Sequence, residues 1–166
     1  MSIVKPILEQ IVFARNYTTH LLDNVLPADW FRQPSGGVSI IAWQVGHLAM
    51  AEYRLTLERI RGRRPEDESL IPDEFLRHFA RESIPNPDPA QNPSVERIRA
   101  VFDAVHRQAL AELETLSEDE LSQPVLKSHP LARTKQEALF WCSQHEMLHA
   151  GQIGLLRRQL GNAPLW

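Results

Sequence analysis

A single cysteine, Cys142, stands among 166 residues, so no disulfide can form within the chain, which fits a reducing compartment. A basic excess is also missing. Lys+Arg number 18 against 21 Asp+Glu, a net charge of −3, and neither nucleic acid nor an anionic membrane is implied as a partner. No stretch approaches the roughly 18 apolar residues of a membrane span. The opening run MSIVKPILEQIVFARNY lacks a signal-peptide core, because Pro6, Glu9 and Arg15 interrupt it. The expectation is a cytoplasmic protein. Hydrophobic residues at 43% and charged residues at 23% are ordinary for a globular chain, and the length suits one domain over residues 1–166.

Four long segments carry helical periodicity. The first runs from Ile3 to Leu26, with Ile3, Ile7, Ile11, Ala14, Thr18, Leu21 and Val25 on one stripe. The second runs from Ser39, read as its N-cap, to Arg61, with Ile41, Val45, Leu48, Glu52 and Leu55 on its stripe, His47 beside it and Gly62 at its end. The third spans Ser94 to Leu116. The fourth spans Thr134 to Leu160, opened by a capping box of Thr134 and Glu137. Between the second and third lies a proline-rich connection from Gly62 to Pro93, with one short helix at Asp73–Arg81. A connection of that length can run the whole length of a bundle, so that the helices it joins lie parallel. The polar stretch from Ser117 to Arg133 reads as a loop. No strand pattern is evident, and the fold class is all-α: a four-helix bundle with a long crossover between its second and third helices.

The anomaly lies in the fourth segment. Its stripe reads Ala138, Cys142, His145, His149, Gln152, Leu156, Gln159. Burying several polar side chains without partners costs a few kcal/mol each, on the order of common transfer scales. A metal ion would satisfy them. Residues at i and i+4 lie about 5–6 Å apart on one helix face, so His145 and His149 can share one ion. His47 offers a third ligand from the second helix, and Gly46 allows close backbone approach beside it.

Gly46-His47, then His145-x-x-x-His149-x-Gly151-Gln152 followed by Leu155-Leu156-Arg157-Arg158, resembles the DinB/YfiT-like superfamily. The resemblance includes the long crossover and the closing Leu160-Gly161-Asn162-Ala163-Pro164-Leu165-Trp166. It implies an up-down-down-up bundle in which His47, His145 and His149 bind one divalent ion. Zinc or nickel comes first, with iron, manganese or copper as further candidates. It also implies a homodimer, and for some members a metal-dependent transfer reaction using a thiol such as mycothiol or bacillithiol on an electrophilic substrate. DNA binding is not implied.

Other residues carry two readings each. His145-Glu146-Met147-Leu148-His149 matches the H-E-x-x-H of metalloproteases, where the glutamate activates water. No downstream histidine follows at the expected spacing and no edge strand is at hand for a peptide, so Glu146 reads first as a solvent-side or ion-paired carboxylate. A base role in another metal-dependent reaction stays open. Cys142 could be a ligand or nucleophile, but a lone cysteine on a core stripe is more often a small hydrophobe. Gln152 could fix a histidine tautomer or cap a helix contact. Trp43, Trp141 and Phe140 could line a pocket mouth or simply pack. Arg61, Arg63 and Arg64 read as solvated helix-end charge, or as an anion site. His20, His78, His106 and His129 read as solvated or locally bonded.

The functional expectation is a metal-dependent thiol transferase whose pocket lies between the second and fourth helices under the crossover. Hydrolysis is the runner-up chemistry. The non-catalytic rivals are a metal-stabilised or metal-sensing bundle, and a plain bundle whose histidines satisfy one another. The residues name no complete catalytic constellation.

Overall fold

The computed structural model describes residues 3–165, so Trp166 of the closing motif lies outside them. The fold is mostly helical. Four long helical stretches supply most of it: α1 (Val4–Asp23), α2 (Ile41–Tyr53), α6 (Val95–Leu113) and α8 (Lys135–Gln159). A π-helical turn at Arg54–Glu58 and the single turn α3 (Arg59–Arg61) prolong α2 to Gly62. Gly62 takes φ +84° and ψ 161°, a backbone conformation that essentially only glycine adopts, and the helix ends there. The crossover holds two short helices, α4 (Asp67–Leu70) and α5 (Asp73–His78), the second ending three residues before the predicted Arg81.

Helix α2 is the central element. Every residue in it but Trp43 is buried, so it has no solvent face, whereas the periodicity predicts a single stripe. Ser39 does not cap it. The helix starts at Ile41, and the Ser39 hydroxyl instead accepts from Gln44 Nε2 at 2.8 Å. Capping at Ser94 and the reciprocal box at Thr134 and Glu137 match their spacing.

The segment 117–133 is not a loop. Ser117 and Glu120 form a second capping box that opens α7 (Glu118–Ser122). An antiparallel hairpin follows, β1 (Pro124–His129) with β2 (Ala132–Thr134), bulged between its outer pairs. It corrects the expectation of no strands. Apart from Val125 and His129, both partly buried, β1 faces solvent throughout, so no apolar alternation marks it in the sequence.

Two helix pairs form the bulk of the packing, α2 against α6 and α1 against α8, and α2 also packs on α8. One apolar cluster runs from Leu21 through α2 and Phe102 to Ile153, and a second gathers Ile7, Ile11, Ile60 and Leu139. No helix is long and apolar enough to cross a membrane among the described residues.

Candidate metal centre

His47 projects from α2, and His145 and His149 from α8. Each offers one ligand nitrogen, and these nitrogens lie within 4.8 Å of one another. The Nε2 atoms of His145 and His149 are 3.2 Å apart. Two nitrogens held about 2.0–2.1 Å from one ion at a tetrahedral angle would be about 3.3 Å apart, so the spacing fits a shared ion. The three residues can hold a metal ion.

Two of the tautomers are fixed by fixed acceptors. His47 Nδ1 donates to the carbonyl of Phe79 at 2.9 Å. His149 Nδ1 donates to Oε1 of Gln44, whose own NH2 is committed to Ser39. Both rings therefore turn an unprotonated Nε2 toward the centre, the arrangement metal-binding histidines commonly show. Burial, reinforced by His47 and His129, pushes His145 down to about 4. Burial, with His145 and His47, pushes His149 down to about 3. Burial also lowers His47. All three are neutral at physiological pH, with lone pairs available.

Neither Gln44 nor the Phe79 carbonyl was among the expected site groups, and the tautomer-fixing role open to Gln152 belongs to Gln44. Gln152 itself is exposed. Trp43 stacks on His47 with ring centroids 4.7 Å apart, and its indole N–H donates to Ser83 on the crossover. Gly46 meets its expected use: a β-carbon there would overlap the Phe79 ring. The crossover thus reaches the centre through Phe79 and Ser83.

A cavity of about 530 Å³ opens beside His47 and His145, with Met50, Leu131 and Trp141 in its wall. Phe140 is not part of it and is partly exposed elsewhere.

Glu146 is ion-paired, the second half of its expected reading, and not solvent-side. It is buried, and its carboxylate accepts from Arg15 Nε at 2.8 Å. Arg15 also pairs with the buried Glu52, which accepts from His106 Nδ1 at 2.7 Å. The buried face of α8 therefore runs through Ala138, Cys142, Glu146, Ala150 and Ile153, a slight turn from the predicted stripe, and the two histidines sit at its edge facing α2. Cys142 packs with Leu55, Ala132 and Ala138, and burial raises its thiol well above the usual range, so it stays protonated.

Of the three helix-end arginines only Arg64 is exposed, reaching Glu112 at 3.8 Å; the other two are not solvated. Arg61 grips Asp67 on α4 at 2.7 and 2.9 Å and Glu112 on α6 at 2.7 and 3.0 Å. Arg63 lies over Tyr53 and pairs with Glu68 and Asp73. Their charge is spent tying the crossover down, because its own carboxylates fold back onto them.

No curated protein matches the chain. The family profile described as the DinB superfamily matches residues 10–153, a span that contains all three histidines and the crossover.

Proposed function

The chain belongs to the DinB superfamily, and from that premise we propose that it binds one divalent ion through His47, His145 and His149 and acts as a metal-dependent thiol transferase of the bacillithiol or mycothiol type. The observation that carries the metal reading is the meeting of three neutral imidazoles, two with their tautomers set, beside a cavity. The resemblance puts zinc or nickel first, with iron, manganese and copper as further candidates; three imidazoles by themselves suit zinc, nickel, copper and iron alike. When bound, such an ion lowers the pKa of a thiol or water that reaches it. The residues supply the rest. Gln44 and Phe79 orient the rings, Trp43 holds His47 in plane, and the cavity admits a small substrate between the hairpin and the crossover. Thiol transfer comes from the resemblance, with hydrolysis as the second chemistry. The H-E-x-x-H peptidase reading loses its base, since Glu146 is locked to Arg15.

We also read the long helices as a single up-down-down-up bundle. Arg15–Glu146 and Asn24–Arg157 advance together along α1 and α8. Glu52–His106 and Arg61–Glu112 advance together along α2 and α6. Between α2 and α8 the order reverses, Gln44 meeting His149 while Leu55 meets Cys142. The proposed setting is the cytoplasm and the proposed assembly a homodimer.

Metal content by inductively coupled plasma mass spectrometry on tag-free protein tests the centre. About one divalent ion per chain is expected, lost in His47→Ala, His145→Ala and His149→Ala with helix content kept. Wild-type metal stoichiometry in His149→Ala would sink the assignment. A screen of thiols with electrophiles on loaded protein then separates transfer from a non-catalytic bundle.

A further inference from the structure

The cavity beside the histidines is lined by more positive than negative charge. Arg54, Arg59 and Arg81 line it, against one carboxylate, Glu82. Two buried or half-buried arginines elsewhere are matched, Arg15 by Glu52 and Glu146 and Arg61 by Asp67 and Glu112, while buried Arg157 donates to the Asn24 carbonyl. Among the described residues no acidic side chain lies within ion-pair distance of Arg54, Arg59 or Arg81.

Arg59 is held only loosely. Its Nη1 donates to the Arg54 carbonyl at 3.2 Å and its Nη2 to the Ser128 carbonyl at 3.4 Å, while its buried Nε has no partner. A guanidinium carries five donors in a planar fork suited to a carboxylate, and a buried donor left empty is costly. Burial lowers Arg59's hold on its proton, and Arg54 adds to this against the pull of Glu58.

The π-helical turn explains why both arginines share one wall. On an α-helix, residues five apart lie about 140° around the axis. The wider turn over Arg54–Glu58 closes much of that angle, and the Arg59 bond to the Arg54 carbonyl spans it. The wall is also continuous with the centre. The Trp141 ring lies 6.1 Å from His145 and 6.4 Å from His129, and the charge of Arg54 is felt at His47 as that of Arg59 is at His129.

We propose that Arg54 and Arg59 bind the carboxylate of a small organic anion whose other end reaches the three histidines. The second half of this statement rests on the reading of those histidines as a metal site, and the arginine half stands without it. The cavity volume suits one small molecule.

The probes are 3-mercaptopropionate and 3-mercaptopropan-1-ol, which share a thiol and a chain length and differ in charge. Calorimetry on zinc-loaded protein should give about tenfold tighter binding of the acid. The Arg54→Gln/Arg59→Gln variant should lose that preference and bind the alcohol as the wild type does, with zinc content unchanged. Equal affinities in the wild type, or a preference that survives the double substitution, overturn the proposal. Metal-free wild-type protein supplies a reading that needs neither a variant nor the ion. Adding 3-mercaptopropionate should move the Arg59 Nε–H and Trp141 indole signals in nitrogen-15 correlation spectra, and the alcohol should not. A protein that takes no zinc yet shows these shifts keeps the anion site and loses the metal centre. Absence of the shifts overturns the anion site whatever the zinc content.

Discussion

At position 46 a side chain of any size meets the Phe79 ring, and the carbonyl of Phe79 is the group that fixes His47. Gly46→Ala therefore has to move both. Overpacking of this kind costs about 1–3 kcal/mol, and disturbing a group that orients a ligand weakens metal binding about 10-fold or more. A lowered melting temperature and a weaker zinc competition titration are expected together; wild-type zinc affinity would mean Phe79 does not orient His47. Protonation gives a second test. His145 and His149 accept protons in the folded chain only near about 4 and about 3, against 6.5 when free. Between those values the unfolded chain binds more protons, so stability of the metal-free protein is full above pH 6.5 and falls as pH drops toward 4. Urea midpoints from pH 7 to 4.5 should decline, and His145→Ala/His149→Ala should flatten the decline. The three histidines were legible because two stand four apart on a helix. Gln44 was not, since a lone glutamine has no spacing signature, and no residue pattern reveals a backbone carbonyl 32 positions further on.

Helix α8 shows how far periodicity reaches. From Ala138 and Cys142 the next core position is either 145 or 146, and both are polar. The choice was made by Arg15, which draws Glu146 inward and leaves His145 and His149 on the edge that faces α2. That arginine lies on α1 beside the expected stripe, with nothing in its own segment to mark it as buried. The hairpin escaped for a related reason: it is stabilised by pairing and by the Lys135 N–H to Gln123 carbonyl bond, and an apolar face hardly enters. The buried network gives the prediction at this scale. Arg15→Met leaves two carboxylates inside without their cation and should cost about 3–5 kcal/mol, read as a shift in the urea midpoint. Adding Glu52→Gln and Glu146→Gln should recover most of it, as removal of a whole buried ion cluster is often nearly neutral. A triple variant no more stable than Arg15→Met alone would place the loss in the packing of Arg15 on Phe102 instead.

For the whole molecule, the long crossover was legible from its prolines, and its consequence was a layout in which α2 and α6 pair along their length. What the prolines could not tell is how the crossover is held. Arg61 clamps it to α6 through Asp67 and Glu112, and Phe79 and Ser83 bring its far part onto the histidines. The centre is thereby closed by a segment distant in sequence, and its free surfaces lie elsewhere. One of them is apolar. Phe140, Met147, Leu148 and Leu155 are exposed along α8 at spacings of seven or eight, with Phe13 exposed on the adjoining α1. Helix positions seven or eight apart share a face, and an exposed apolar stripe of that length marks an association surface. Under the homodimer proposed above, the occupant is a second copy. Two α8 helices meeting across a two-fold axis would bury the stripe against itself, which a symmetric dimer requires. Sedimentation of the wild type is therefore expected at twice the chain mass. Leu148→Glu/Leu155→Glu should sediment as a monomer with unchanged metal content, because neither side chain touches the histidines' cavity. A dimer that survives both charges would move the interface off α8.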